Sequence, residues 1–204
     1  IENEFYGTIR PKRIIRRGER PLHALRERGV EYVEVRCMDL DPFEPVGIGA
    51  STMQFIDLFL LHCLLSDSPP DSPEEIKALA RNQQKVAARG REPDLMLERG
   101  TGEVNLVAWG SELLQAFEPI AATLDGLHGG SAYHDALAAA SATLANTDTA
   151  PSARVLAAMA RDFDSSYVAF TRAQSEQTRN RLLALPFSSD TQAKYAALSK
   201  ASVE

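Results

Sequence analysis

The sequence predicts an α+β protein in which a short sheet is followed by a long, mostly helical region. Two observations support this class. Residues 1–10 and 30–39 alternate apolar and polar side chains and are dominated by β-branched and aromatic residues, as strands are. From Ser51 onward, the apolar residues recur at helical spacing. This single change of period separates a sheet-forming start from a helical remainder.

The strand at residues 30–39 has an informative polar face. Successive side chains of a strand point to opposite sides, so Tyr32, Glu34 and Arg36 project together, with roughly 7 Å between neighbours. Such a set suits the floor of a site for a charged ligand. A solvated strand face with an incidental ion pair explains the same spacing equally well.

The strand at residues 1–10 repeats this design, with Glu4, Tyr6 and Arg10 on its polar face. Two such strands with their polar faces aligned would line a sheet with carboxylates and guanidinium groups. Pro11 is expected to end the regular ladder, because proline has no N–H group to donate.

A basic stretch follows the first strand. Its cations are Lys12, Arg13, Arg16, Arg17 and Arg20. One interpretation is a solvated loop, and another is an anion clamp, for phosphate above all, because these side chains suit phosphate oxygens. A nucleic-acid arm is a weaker third interpretation, since no aromatic residues are interleaved.

Capping residues and prolines predict where the first helices begin and end. Residues 21–28 form a short helix, with proline in its first turn and Gly29 at its end. Ser51 and Gln54 match a capping box, which places a helix start there. That helix, to about residue 66, is apolar nearly all round and is expected in the core.

The later elements follow from the same signals. The run Ser72-Pro73-Glu74-Glu75 is a strong helix start, and Gly90 closes that helix. Residues 95–97 and 104–107 form a small hairpin or an irregular segment. Pro119 is expected to bend or break a helix at 111–127. The remaining predicted helices cover residues 132–144, 152–162, 166–185 and 190–202.

Three parts are therefore expected along the chain. Residues 1–50 form the sheet, residues 51–130 form helices that pack on it, and residues 131–204 form a helical C-terminal region. The chain opens with Ile1, inside a predicted strand and without a methionine, so we expect it to be part of a longer protein.

Composition and charge favour a soluble enzyme or module of the cytoplasm. Of the 204 residues, 44% are apolar and 25% are charged, which is ordinary for a globular protein. The net charge of −6 argues against general affinity for nucleic acid. The most apolar run, residues 55–65, is about half the ~20 residues that a bilayer requires, so no membrane span is expected. Cys37 and Cys63 lie within apolar patterns, which suits a reducing compartment.

Familiar metal and nucleophile motifs are missing from the sequence. It has no His-Glu-x-x-His, no paired Cys-x-x-Cys and no glycine-rich phosphate loop. The polar strand faces remain as a candidate site. Mg²⁺ takes carboxylate oxygens and bridges them to phosphates, and a nearby arginine can neutralise a transferred phosphoryl group. The set is incomplete for an ATP-using enzyme, because further carboxylates would have to converge from elsewhere.

The first fifty residues resemble a known family. The likeness rests on residues 1–6 (IENEFY), 9–12 (IRPK) and 29–36 (GVEYVEVR), with Asp39 and Pro42-Phe43. These segments are similar to glutamate–cysteine ligase of the proteobacterial type, and the likeness continues more loosely to Gly129-Gly130. Beyond about Tyr133, only a general helical character is shared.

The resemblance implies the first step of glutathione synthesis. In that reaction ATP, with Mg²⁺ or Mn²⁺, phosphorylates the γ-carboxyl group of L-glutamate, and the amine of L-cysteine attacks the acyl phosphate. The implied fold is similar to the catalytic domain of glutamine synthetase, an antiparallel sheet with metal-binding carboxylates on its concave face. No membrane or nucleic-acid partner is expected.

The resemblance also implies roles for individual residues. Glu34 resembles a metal-ligating glutamate, and Arg36 resembles the arginine that contacts the phosphoryl group. Tyr6 resembles an aromatic residue that helps to hold cysteine. Arg10 and Lys12 match basic positions, to which we assign contacts with the nucleotide phosphates.

The family enzyme is more than twice the length of this chain, which resembles its C-terminal portion only. The missing N-terminal half would carry the other metal carboxylates and most glutamate contacts, so the isolated chain is expected to be inactive. The alternative function is a noncatalytic helical interaction module, whose basic loop at residues 12–20 binds an acidic partner or nucleic acid.

Overall fold

The computed structural model describes residues 7–36 and 38–203, in which helices dominate and two antiparallel strand pairs accompany them. The α+β class is confirmed. The chain forms two compact units, the first ending at Leu40 and the second beginning at Asp41. The elements are β1 Ile9–Lys12, α1 Pro21–Arg28, β2 Tyr32–Val35, α2 Ala50–Leu65, α3 Pro73–Arg89, β3 Met96–Arg99, β4 Gly102–Asn105, α4 Leu106–His128, α5 Ala132–Ala145, a 3₁₀ turn Thr147–Thr149, α6 Pro151–Asp162, α7 Tyr167–Leu183 and α8 Ser189–Ala201.

The first unit contains β1, α1 and β2. Strands β1 and β2 pair antiparallel, with Arg10 opposite Glu34 and Lys12 opposite Tyr32. The helix between them buries Ala24 completely. A short strand, a helix and a returning strand thus bring two segments about twenty residues apart into one ladder.

Pro11 does not end the ladder, so that expectation was wrong. It lies within β1, opposite Val33. The N–H of Arg36 donates to the carbonyl of Thr8 at 2.7 Å, so residues 8 and 36 form a hydrogen-bonded pair. Hydrogen-bonded and non-hydrogen-bonded pairs alternate in antiparallel ladders, which puts Pro11 at a position where no N–H is needed.

The helix starts in the second unit show which capping signals were informative. Helix α3 begins as predicted, with the Ser72 hydroxyl accepting the N–H of Glu75 at 3.1 Å. The capping box at Ser51 was wrong, because α2 begins at Ala50 and its N-cap is Gly49, without a side-chain hydrogen bond. Ser51 therefore lies inside the first turn, where its hydroxyl cannot act as the cap.

Helix α4 is longer than predicted and runs through its proline. It begins at Leu106 because the side chain of Asn105 accepts the N–H groups of Val107 and Ala108. Pro119 lies inside this helix and does not break it. Phe117 and Ala121, on either side of the proline, are 1% and 0% exposed, so their packing outweighs the local cost of proline.

The core of the second unit lies where α2, α4 and α5 meet. Its fully buried members are Leu58, Phe117, Ala121 and Leu137. The ring of Phe117 lies 6.0 Å from that of Phe55, which packs against the same cluster. The prediction that α2 belongs to the core is confirmed for this part of the helix.

Strands β3 and β4 form the hairpin that the sequence left open. The outer edge of β3 contacts α3 through Asn82, which is 6% exposed. The Asn82 amide donates to the carbonyl of Glu98 at 2.8 Å, and its oxygen accepts the N–H of Glu98 at 2.8 Å. The side chain thus satisfies both backbone groups of one strand residue.

Asp125, in the last turn of α4, fastens the start of α5. Its carboxylate accepts the N–H groups of Tyr133 and His134 at 2.9 and 3.1 Å and lies 2.6 Å from the Nδ1 of His134. Burial by itself would raise the pKa of Asp125, but the hydrogen bonds from Tyr133 and His134 outweigh it and the pKa is lowered. Asp125 therefore acts as an ionised cap across the turn between two core helices.

In the part of the chain that is described, no helix combines the length and apolar character needed to cross a bilayer. The three-part division at residues 50 and 130 stays a prediction.

Replacing Asp125 with Ala should lower the midpoint of thermal unfolding at pH 7 by about 2–4 °C or more, because the first turn of α5 loses its acceptor. The exposed Asp162, in Asp162→Ala, is the control and should shift the midpoint less. Because the pKa of Asp125 is lowered by folding, its stabilising effect is complete above about pH 4 and is lost as the pH falls further. The difference in unfolding midpoint between wild type and Asp125→Ala should therefore become smaller in acid. A difference that grows as the pH falls would contradict this role.

Candidate functional site on the strand face

The pairing of β1 and β2 places their polar side chains on one face. Residues directly opposite each other in a ladder point to the same side, as do residues two apart in one strand. Arg10 and Lys12 therefore share a face with Tyr32 and Glu34. Arg36 follows β2 but continues the ladder through its N–H bond to Thr8, so it keeps the same orientation.

Glu34 lies between two cations on this face. Its Oε1 accepts a hydrogen bond from the Nε of Arg36 at 2.9 Å and lies 2.7 Å from the Nη2 of the same guanidinium group. Its Oε2 lies 3.4 Å from the Nζ of Lys12. This distance is longer than that of a typical hydrogen bond, so the contact is mainly an attraction between opposite charges. This second oxygen is hidden from water and has no hydrogen-bond donor among the described residues. Glu34 therefore keeps acceptor capacity on the side where Lys12 lies.

The electrostatics of the face keep Glu34 charged. The hydrogen bond from Arg36 is the main cause that lowers the pKa of the Glu34 carboxyl group. Partial burial opposes this effect, and Lys12 adds to it. The group is consequently a carboxylate at neutral pH, the form that can bind a metal ion or repel an incoming anion.

The described residues do not form a complete metal site. Within residues 7–36 and 38–203, no group of three or more His, Cys, Asp or Glu residues is arranged to hold a metal ion. Mg²⁺ prefers six oxygen ligands and usually takes one or two protein carboxylates, with water and phosphate oxygens completing the set. The under-used Oε2 of Glu34 fits one such ligand, and the others would have to come from outside these residues.

The structure describes only some of the remaining predicted site residues. Tyr6 and Glu4 lie outside the described residues, as does Cys37. Arg10 lies opposite Glu34, and its Nε donates to the carbonyl of Gly7 at 3.2 Å. Lys12 contacts Glu34, as described above. The ligand roles of Tyr6, Arg10, Lys12, Glu34 and Arg36 all stay predictions.

Sequence reasoning missed two features. The first is the contact between Lys12 and Glu34, which the alternation of Arg10 and Lys12 could have suggested had the strand been continued through Pro11. The second is the contact between His134 and Asp125, whose signal is an acidic residue just before a Gly-Gly turn and a new helix.

Comparison with known proteins adds an independent finding. A family model described as glutamate-cysteine ligase matches residues 1–86. The glutamate–cysteine ligase of Azotobacter vinelandii is 44% identical over 203 residues, which is 100% of this chain and 38% of that protein. Over its whole length, this chain is therefore similar to part of a glutamate–cysteine ligase. The ligase of Bordetella parapertussis agrees, with 46% identity over 205 residues, again 100% of this chain and 38% of the relative.

A solved ligase structure supports the same relationship. The crystal structure of glutamate–cysteine ligase from Francisella tularensis in complex with AMP has a TM-score of 0.84 and 35% sequence identity. The match covers 95% of this chain and 38% of that one. The resemblance drawn from the first fifty residues is confirmed, and the likeness to the ligases extends into the helices beyond Tyr133. The chain spans about 38% of the length of these relatives and corresponds to a C-terminal portion of them.

Removing Arg36 should raise the pKa of Glu34 more than removing Lys12, because the Arg36 hydrogen bond is the largest influence on that carboxyl group. The measurement is a ¹³C NMR titration of the Glu34 carboxyl carbon in Arg36→Gln and Lys12→Gln. The control is Arg172→Gln on α7, which should leave the Glu34 titration unchanged. A larger rise in Lys12→Gln would contradict the assignment of Arg36 as the dominant partner.

Proposed function

We propose that this chain is the C-terminal part of an ATP-dependent ligase that joins the γ-carboxyl group of glutamate to the amine of cysteine. The observation that carries the proposal is the similarity to glutamate–cysteine ligases along the whole chain, 44% to the relative from Azotobacter vinelandii. The Glu34–Arg36 pair supports it, because it lies within the residues that the family model matches.

The proposed reaction has two steps. In the first, an oxygen of the glutamate γ-carboxylate attacks the γ-phosphorus of ATP, and ADP leaves. In the second, the cysteine amine attacks the carbonyl carbon of the γ-glutamyl phosphate, phosphate leaves with the bonding electrons, and the nitrogen loses a proton. The AMP complex of the Francisella tularensis ligase is in keeping with nucleotide as a substrate.

Arg36 is proposed to stabilise the charge on the transferred phosphoryl group. Its Nε donates a hydrogen bond to Glu34, and its Nη2 lies within ion-pair distance of the same carboxylate oxygen. That contact fixes the plane of the guanidinium group and leaves Nη1 to meet a phosphoryl oxygen. A guanidinium held in place before the reaction loses less side-chain entropy when charge develops.

Glu34 is proposed to contribute one oxygen ligand to Mg²⁺ or Mn²⁺. The candidate atom is Oε2, which has no hydrogen-bond donor among the described residues. A divalent cation at this position would neutralise the phosphate oxygens of the nucleotide. Lys12 and Arg10, on the same face, are proposed to contact the nucleotide phosphates, and Tyr6 is proposed to help hold cysteine. A reducing cytoplasm is the proposed location, since the substrate is a free thiol.

The 204-residue chain alone should show no ligase activity. The described part of the strand face offers a single carboxylate, and the chain spans about 38% of the length of its relatives. The assay measures ADP release that depends on ATP, glutamate and cysteine together. Release that requires all three substrates would show that the chain is a complete enzyme, which contradicts this expectation.

In the complete enzyme, Glu34→Gln should lower turnover by about 10²-fold or more, because the amide carries no charge for a metal ion and leaves Arg36 without its anionic partner. Folding should be unaffected, because glutamine has nearly the same shape as glutamate and can still accept the hydrogen bond from the Nε of Arg36. The matched control is Glu176→Gln, which removes an exposed ion pair with Arg172 on α7. Near-normal turnover in Glu34→Gln, measured beside that control, refutes the role of Glu34.

A further inference from the structure

The basic loop between β1 and α1, residues 13–20, takes no part in the proposed reaction, yet its backbone is firmly held. The Nη2 of Arg28 donates to the carbonyl of Ile14 at 3.0 Å and to the Oε2 of Glu19 at 2.5 Å. The N–H of Ile14 donates to the Oε2 of Glu31 at 3.1 Å. Helix α1 and Glu31, the residue before β2, therefore fix both ends of this loop.

Further contacts fix the first residue of the loop and the turn within it. Arg13 donates to the carbonyls of Arg28 and Gly29 at 2.5 and 3.2 Å. The N–H of Glu19 donates to the carbonyl of Arg16 at 3.0 Å, and the N–H of Arg16 donates to the Oε2 of Glu19 at 2.7 Å. These bonds close a tight turn, in which Gly18 takes the positive φ of 82° that other residues rarely adopt.

Glu19, the acidic residue of this turn, already has an ion-pair partner. The side chain of Glu19 is only 12% exposed and is paired with Arg28. The N–H of Arg16 is the main cause that lowers the pKa of Glu19, and the charges of Arg28 and Arg16 contribute further, so this group stays an anion directed inward. Glu31 is likewise engaged by the backbone of Ile14.

Three arginines of the turn remain exposed. Arg16, Arg17 and Arg20 are solvent-exposed, and none of them makes an ion pair within 4.0 Å among the described residues. The first turn of α1, which follows directly, has no acidic residue and no side-chain cap. The turn therefore presents a concentrated positive charge on a chain whose net charge is −6.

The turn keeps the backbone positions of these three residues close together. The first and fourth Cα atoms of a β-turn lie within about 7 Å, and Arg20 follows at about 3.8 Å along the chain. Arginine forks match phosphate oxygens in pairs, whereas a single carboxylate offers only two oxygens. A ligand with several linked phosphates can satisfy three guanidinium groups together.

We propose that Arg16, Arg17 and Arg20 form a binding site for a small oligophosphate anion, a ligand with two or more linked phosphate groups. The site is separate from the Glu34–Arg36 pair and shares no residue with it. Nucleic acid is a poorer fit, because stacking aromatic residues are not interleaved with the arginines and the chain as a whole is acidic.

The test uses tripolyphosphate as the probe and the 204-residue chain, by calorimetric titration at low ionic strength. The triple variant Arg16→Gln, Arg17→Gln, Arg20→Gln should weaken binding by about tenfold or more. The matched control is Arg172→Gln, Arg179→Gln, Arg181→Gln, which removes the same charge from exposed positions of α7 and should change affinity by no more than about twofold. Equal losses in the two triple variants overturn the proposal.

A second measurement locates the probe. Amide NMR shifts on titration of the wild-type chain should be largest at residues 16–20, and these shifts should persist in Arg36→Gln. Shifts confined to the strand face, or loss of the shifts at residues 16–20 in Arg36→Gln, would place the anion at the proposed ligase site and overturn a separate one. If the triple variant does not fold, Arg17→Gln alone should weaken binding by roughly twofold or more, and unchanged affinity overturns the proposal.

Discussion

The antiparallel pairing of β1 with β2 is the constraint on which the polar face depends. Its register puts Arg10 opposite Glu34 and Lys12 opposite Tyr32, so charged groups from two segments meet on one side. The side-chain period of a strand is two, and a slip of one residue would exchange this set for Val33 and its apolar neighbours. Because the side chains of Arg13 and Arg28 bond the backbone at the two ends of the connection between the strands, local polar contacts help to hold the register.

The same face holds a carboxylate that is oriented by its neighbours. Glu34 is fixed by Arg36 and approached by Lys12, so its charge and orientation are set without any group from outside the described chain. The ligases to which the chain is similar are more than twice its length. A carboxylate that is oriented in advance needs little reorganisation when further ligands arrive.

The sequence predicted the polar face and most helices because these depend on local periodicity and on caps such as Ser72. It failed where a tertiary contact decides the outcome. Pro11 stays in its strand because its nitrogen lies at a position of the ladder where no hydrogen bond to the partner strand is needed. Pro119 stays in its helix because Phe117 and Ala121, on either side of it, are packed in the core. The contact of Asp125 with His134 joins residues nine positions apart across a Gly-Gly turn, and no single-element pattern contains it.

The side chain of Asn82 gives the β3–β4 hairpin a partner that is not a strand. Unpaired backbone groups along a sheet edge invite the strands of other molecules to add there, which is a common route to aggregation. By occupying both the N–H and the carbonyl of Glu98, one buried amide on α3 closes that edge at its midpoint. A single residue of a neighbouring helix thereby protects the outer edge of β3 at this point from pairing with another molecule.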